Sequence, residues 1–153
     1  MHVHVGSFEN PKEAEGLAHF LEHMLFLGTE KYPEVSDYGA YLSTNGGYNN
    51  AYTAGDHTNY LLEVRPEAFE GAVDRFSEFF KAPLFNPVYT EREVNAVHSE
   101  YQKNILNDGW RQYHLMKQYL NPGHPATGFN IGYSDTLDQV DRETLLQFYE
   151  SYY

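Results

Sequence analysis

The order of predicted elements along the 153 residues indicates an α+β fold, a two-layer domain in which an antiparallel-rich sheet packs against helices. Two observations support this class. Apolar residues recur at helical spacing in several separate stretches, and two strand-like segments are joined across residues 54–57 as in a hairpin. Helices and antiparallel strands therefore fall into separate groups, and no internal repeat interrupts them.

The N-terminal part begins with an alternating segment and continues into a long apolar run. Residues His2 to Val5 alternate and predict a strand, which we expect to be an inner strand of the sheet. Asn10 and Pro11 are typical of a helix cap and a first helical residue. We therefore expect a helix to follow them, to include the apolar run 16–28 and to stop at Gly28, a natural C-terminal glycine.

The middle of the chain predicts a helix, a hairpin and a second helix. The first helix covers about 36–43, and the hairpin strands cover 48–53 and 58–64. Pro66 then starts a helix that ends near 81–83. The apolar positions of this helix recur at helical spacing and are Phe69, Val73, Phe76, Phe79 and Phe80.

Three more helices are predicted in the C-terminal part. Residues Thr90 to Glu93 have the form of a capping box, which marks the start of a helix that runs to about Leu106. The next helix covers about 110–120, a loop rich in Gly and Pro follows, and the last helix covers 141–149.

Charge and composition exclude several classes of function. The formal net charge of −12 argues against nucleic acid, whose phosphates would be repelled. The acidic surface either favours cationic peptides or simply keeps the protein in solution. The absence of cysteine excludes a cysteine zinc site and any disulfide. No apolar run reaches membrane-spanning length, and the N-terminus shows no signal-peptide pattern.

The run 16–28 carries the strongest chemical signal, the pattern His19-Phe20-Leu21-Glu22-His23. On a helix, His19 and His23 lie one above the other, and Glu22 falls on the same side. Unpartnered burial of these groups would be costly, whereas Zn²⁺ accepts both imidazoles and leaves the glutamate beside an open coordination position. The order H-x-x-E-H is the inverted zincin signature. The alternative is a pair of ordinary half-buried histidines.

A zinc hydrolase needs a third protein ligand, for which Glu100 is the candidate. Glu93 and Glu100 are seven residues apart and share a helix face. Spacing alone leaves two alternatives open, because Glu93 also suits a helix cap and Glu100 also suits a solvent-facing carboxylate.

Longer matches around these residues resemble the pitrilysin/insulysin family of inverzincin metallopeptidases, in particular its pitrilysin and insulin-degrading-enzyme branch. The resemblance covers essentially all 153 residues. The segments that carry it are 16–29, Lys31-Tyr32-Pro33, Asn50-Ala51-Tyr52-Thr53, His57-Thr58-Asn59-Tyr60, Glu93-Val94-Asn95-Ala96-Val97 and Ser99-Glu100.

The resemblance implies a zinc-dependent endopeptidase. It assigns His19, His23 and Glu100 as metal ligands, Glu22 as the general base, and Glu93 as a residue that supports the site from behind the ligands. The chemistry implied is hydrolysis of peptides and small polypeptides by a metal-activated water.

The family also presents an edge strand to its peptide substrate, which matches the segment Asn50-Ala51-Tyr52-Thr53, with Asn50, Ala51 and Tyr52 as the residues expected to contact the peptide. Phe26 and Trp110, together with Tyr52, match positions near the pocket for a residue beside the scissile bond. Core packing is the alternative role for these aromatic residues, and for Phe26 and Trp110 the two roles stay open.

Members of this branch are long chains of two halves, so residues 1–153 are expected to be an N-terminal zinc-peptidase lobe truncated at both ends. The expected partners are peptide substrates and the missing C-terminal half or a partner chain. Resemblance to pitrilysin implies the periplasm. Two other functions remain open: a non-catalytic zinc-binding fragment, and a processing-peptidase-like subunit that needs a partner half.

Overall fold

The computed structural model describes residues 1–153 and has the predicted α+β architecture, a three-stranded antiparallel sheet with seven helices. The strands are β1 (His2–Val3), β2 (Tyr48–Thr53) and β3 (Thr58–Glu63). The helices are α1 (Leu17–Leu25), α2 (Asp37–Thr44), α3 (Phe69–Glu78), α4 (Pro87–Asn104), α5 (Asp108–Lys117), α6 (Ser134–Leu137) and α7 (Arg142–Tyr152). Short 3₁₀ turns lie at Ser7–Glu9, Pro66–Ala68 and Pro125–Thr127.

The sheet has the strand order β1-β3-β2. The predicted hairpin is confirmed, with a register that runs from Tyr48 opposite Glu63 to Thr53 opposite Thr58. The prediction that the N-terminal strand is an inner strand is wrong for this chain, because β3 is central and β1 pairs with it on one side only. Alternation reports which face of a strand is buried, and it carries no information about the number of neighbouring strands.

Helix α1 begins later than predicted, at Leu17, yet Asn10 still caps it. The Asn10 side chain reaches across the intervening turn, and its Oδ1 accepts a hydrogen bond from Ala18 N at 2.9 Å. A backbone donor at the helix start is thereby satisfied by a residue that lies outside the helix. Gly16, directly before the helix, has φ 96°, a conformation that glycine adopts without steric cost.

Helix α1 also ends earlier than predicted, at Leu25 rather than Gly28. The amide of Phe26 donates to His23 O, and that of Leu27 donates to Met24 O, both at 3.2 Å. These shorter-range bonds tighten the last turn into a 3₁₀ conformation before Gly28 reverses the chain at φ 101°.

The other helix boundaries differ from prediction by a few residues. Helix α4 begins at Pro87, where Asn86 Oδ1 accepts from Val88 N at 3.1 Å, so Thr90 lies inside the helix and does not start it. In α3 the predicted apolar face is only partly buried, since Phe69 is 57% exposed. The short α6 was not predicted.

Helix α1 lies at the centre of the core. Four of its side chains, Phe20, Leu21, Met24 and Leu25, are completely buried. The helix contacts the strands β2 and β3 and the helices α4 and α7. Burial of this apolar face fixes the rotation of α1 about its axis, and with it the direction of the remaining side chains. None of the helices combines the length and hydropathy that a membrane span requires.

Candidate metal centre

Two helices supply the charged side chains of the site. On α1, His19 and His23 lie one turn apart, and their ring centroids are 4.7 Å from one another. On α4, Glu93 and Glu100 lie on the same face as the buried Val97, which turns both carboxylates towards α1. The site is therefore built where two rigid helices pack together.

Three side-chain atoms converge as a metal ion would require. His19 Nε2 lies 3.2 Å from His23 Nε2, and Glu100 Oε2 lies 3.5 Å from the first nitrogen and 3.8 Å from the second. Two ligand atoms bound tetrahedrally at the usual zinc distances are separated by about 3.3 Å. The two imidazoles and one carboxylate thus fit a zinc ion in both chemistry and spacing, and this group is the one candidate metal site among the described residues.

The far side of each imidazole is held by a hydrogen-bond acceptor. His19 Nδ1 lies 2.8 Å from Ile131 O, and His23 Nδ1 lies 3.0 Å from Glu93 Oε1. With the Nδ1–H group donating to these oxygens, each ring leaves the lone pair of Nε2 directed at the common point. Such outer hydrogen bonds orient the rings and increase their basicity as ligands.

The charge states of the site follow from burial and from the neighbouring carboxylates. Burial lowers the pKa of His19, and the charge of His23 lowers it further. Burial also opposes a charge on His23, but Glu100 and Glu93 outweigh it and raise the pKa of His23 to about 9. His23 in turn lowers the pKa of Glu100. Metal binding at this position is expected to release the His23 proton, since only a neutral imidazole is a ligand.

Glu22 lies beside this group and is not one of the three converging ligands. Its side chain is only 6% exposed, and burial raises the pKa of its carboxyl group to about 7. A carboxyl group with a pKa near neutrality is suited to accept and return a proton at physiological pH.

The site opens into a groove of about 1030 Å³ between α1, β2, α4 and α5. Every residue that the sequence suggested for the site lines this groove. These residues belong to α1, β2, α4 and α5, except for Phe26, which directly follows α1. They are His19, Glu22, His23, Phe26, Asn50, Ala51, Tyr52, Glu93, Glu100 and Trp110. The structure places these side chains together, and their individual roles remain predictions.

The three aromatic residues of this set have different environments. Phe26 packs on Phe79 at a ring-centroid distance of 5.1 Å and also contacts Tyr38 and Tyr60, so it belongs to the core as well as to the groove. Tyr52 and Trp110 are 49% and 42% exposed and lie at the groove surface.

Sequence reasoning missed two contacts with the site. Thr53 Oγ1 donates to Glu22 Oε2 at 2.5 Å, and Ile131 O accepts from His19. Thr53 belongs to the segment expected to bind the peptide, but no local signal predicts its contact with Glu22. A backbone carbonyl of residue 131 is invisible to any motif that is read from side chains.

Comparison with known proteins gives the family of the chain. Residues 1–123 match the family model described as Insulinase (Peptidase family M16). The chain is 48% identical to the insulin-degrading enzyme of Homo sapiens, and the match covers 99% of this chain and 16% of that protein. It is also 48% identical to the A-factor-processing enzyme of Saccharomyces cerevisiae, with 99% and 15% covered.

Comparison of the fold with solved structures gives the same family. The crystal structure of pitrilysin superimposes with a TM-score of 0.92 and 39% sequence identity, over 99% of this chain and 16% of that one. The chain thus spans about one sixth of the length of these relatives. Because the family model matches residues 1–123 of the 153, the chain belongs to the insulinase family of peptidases, M16.

Proposed function

We propose that this chain is the zinc-binding lobe of an endopeptidase that hydrolyses peptides and small polypeptides. The observation that carries the proposal is the convergence of His19 Nε2, His23 Nε2 and Glu100 Oε2 beside the buried carboxyl group of Glu22. Three protein ligands are typical of a catalytic zinc site, whereas structural sites use four.

His19, His23 and Glu100 would hold the metal, and Glu93 and Ile131 O would keep the two rings in orientation. When bound, zinc supplies the Lewis acidity that polarises a carbonyl group and lowers the pKa of water. Glu22 accepts the proton of the attacking water and passes it to the amine of the departing product. The raised pKa of Glu22 supports both halves of this transfer.

The substrate is proposed to lie along β2. This strand pairs with β3 on one side only, and its other edge borders the groove beside Asn50, Ala51 and Tyr52. An extended peptide added to that edge would bind through main-chain hydrogen bonds, which are largely independent of its sequence. Phe26, Tyr52 and Trp110 would contact a side chain next to the scissile bond.

We also propose that residues 1–153 act as an N-terminal lobe that works with a second half, supplied by the same polypeptide or by a partner chain. The chain spans only about one sixth of the length of its relatives, which supports this proposal. A non-catalytic zinc-binding function is less well supported, because a site that only holds metal has no use for a buried carboxyl group of raised pKa beside the ligands.

Metal analysis and turnover on matched preparations test the proposal. We expect about one zinc per chain. Replacing His19 or His23 by Ala should abolish stoichiometric binding, Glu100→Gln should weaken it sharply, and His4→Ala, an exposed histidine outside the site, should leave it unchanged. Full zinc affinity in Glu100→Gln would refute the third-ligand assignment.

The catalytic half of the proposal is tested with Glu22→Gln in the full-length protein that carries this lobe. This variant should keep zinc and peptide binding and lower kcat by at least about 100-fold, because it removes the base and little else. Unchanged kcat at full zinc occupancy would refute it. Peptidase assays of the chain with and without the second half separate a self-sufficient lobe from one that needs a partner.

A further inference from the structure

The Glu22 carboxylate receives one hydrogen bond from the protein, and that bond comes from Thr53. Thr53 Oγ1 donates to Glu22 Oε2 at 2.5 Å, and no other side chain or backbone group among the described residues donates to Glu22. Thr53 is the last residue of β2, so the contact joins the helix that carries the histidines to the strand that borders the groove. The other carboxylate oxygen, Oε1, has no hydrogen-bond partner within the protein.

The Thr53 hydroxyl has a second neighbour. Its oxygen lies 3.4 Å from Thr58 Oγ1, and Thr58 in turn donates to Val5 O at 2.9 Å. The single proton of Thr58 therefore lies on its contact with that backbone carbonyl. The proton of Thr53 lies on the shorter of its two contacts, the one to the Glu22 carboxylate.

The backbone around Thr53 is held firmly in place. Thr53 pairs with Thr58 at the end of the β2–β3 hairpin, and the loop closes with Ala54 N donating to His57 O at 2.8 Å. The N-terminal turn packs on this loop, where Ser7 N donates to Ala54 O at 2.9 Å. A Cβ at Gly6 would lie 2.5 Å from that same oxygen, which shows how close the approach is. The sheet and the packed loop thus fix the backbone from which the Thr53 side chain reaches Glu22.

We propose that Thr53 is a positioning residue for Glu22. From a backbone held by the β2–β3 hairpin, its hydroxyl donates to Oε2, which orients the carboxylate and leaves Oε1 free to take the proton. This inference rests on the proposed peptidase function and adds to it the residue that orients the base.

The protons balance in this scheme. One proton moves from the attacking water to Glu22 Oε1 and from there to the nitrogen of the departing amine. The proton of Thr53 stays on Oγ1 throughout. Thr53 therefore exchanges no atom with the substrate, and its effect should be exerted entirely through Glu22.

Four variants of the zinc-loaded full-length protein test this: Thr53→Val, Thr53→Ser, Glu22→Gln, and Glu22→Gln combined with Thr53→Val. Valine keeps the shape of threonine and removes the hydroxyl, whereas serine keeps the hydroxyl. We expect Thr53→Val to lower kcat by about 10- to 100-fold, the effect of losing a hydrogen bond to a charged group, with KM and zinc stoichiometry unchanged. Thr53→Ser should restore kcat to within a few-fold of the wild type.

The double variant decides whether Thr53 acts through the base. If it does, Thr53→Val lowers kcat no further once Glu22 is already glutamine. Peptide affinity, measured in the Glu22→Gln background where turnover is slow, should also be unaffected by Thr53→Val. Peptide affinity would fall if valine merely disturbed the strand.

Several outcomes would overturn the inference. It is refuted if Thr53→Val has wild-type kcat, if serine fails to restore activity, or if valine lowers kcat equally with and without the Glu22 carboxylate. Loss of zinc or of peptide affinity in Thr53→Val would show a structural role instead. A wild-type kcat in Glu22→Gln itself would refute the proposed function rather than this addition to it, so the two failures are distinguishable.

Discussion

His23 Nδ1 lies 3.0 Å from Glu93 Oε1, on the side of the ring away from His19 and Glu100. The Glu93 side chain is only 14% exposed. This carboxylate therefore fixes both the tautomer and the direction of one proposed zinc ligand, without lying among the three converging ligand atoms.

Replacing Glu93 should therefore weaken zinc binding without abolishing it. We expect Glu93→Gln to lower zinc affinity by about 10- to 100-fold, because the amide loses the charge that supports His23. Glu91→Gln, an exposed glutamate on the same helix, is the matched control and should bind zinc like the wild type. Competition with a chromophoric chelator measures both affinities. Equal affinities in the two variants would show that Glu93 has no supporting role.

Glu22 should contribute less to the stability of the metal-free protein at alkaline than at acid pH. Burial raises the pKa of Glu22 from 4.5 to about 7, so the folded state binds the proton more tightly than the unfolded state. Its stabilising contribution is fully present below about pH 4.5 and is lost as the pH rises through about 7.

Glu22→Gln removes this dependence. At about pH 8 the variant should exceed the wild type in free energy of unfolding by up to about 3 kcal/mol, and at about pH 4 the difference should disappear. Urea unfolding of both proteins in the presence of a chelator measures this difference and its sign. A difference that is equal at the two pH values would contradict the explanation by burial.

Peptide binding should protect the free edge of β2. In zinc-loaded Glu22→Gln we expect amide hydrogen exchange to slow at alternate residues around Asn50, Ala51 and Tyr52, because every second N–H of an edge strand points away from its partner. The amides of β3, which is paired on both sides near Thr58 and Asn59, serve as the internal control. Protection confined to α5 would rule out strand addition.

Removing the side chains of Phe26 and Trp110 should lower the free energy of unfolding by different amounts. Phe26 packs against Phe79, Tyr38 and Tyr60, so Phe26→Ala should lower the free energy of unfolding by about 3 kcal/mol. Trp110 is 42% exposed, so Trp110→Ala should cost less than about 1 kcal/mol while it weakens peptide binding. Denaturant titration and peptide affinity on both variants separate a core role from a groove role.

Much of the fold and of the candidate site could be predicted because the relevant signals are local. Two histidines four residues apart share a face on any helix, and Glu93 and Glu100 share one for the same reason. The hairpin between Tyr48 and Glu63 follows from two short strands and a four-residue connection, and its position was predicted almost to the residue.

The boundaries of the helices were less predictable, because several residues near the start of a helix are able to cap it. Asn10, Asn86 and Asn107 each cap a helix through a side-chain oxygen. Asn10 does so across an intervening turn, and Asn86 starts α4 ahead of the predicted capping box. Which of several suitable residues caps a helix depends on where tertiary packing lets the chain enter, and local sequence does not contain that information.

By itself, then, the sequence determined the chemical identity of the site: an imidazole pair with an adjacent glutamate on one helix, and two further glutamates on another. Only the tertiary structure decided which distant groups complete it. Ile131 O holds His19 from 112 residues away, Glu93 holds His23 from 70, and Thr53 holds Glu22 from 31. Helical and strand periodicity fix directions only within one element, whereas these contacts depend on how the elements pack against one another, which is set by burial of the whole core.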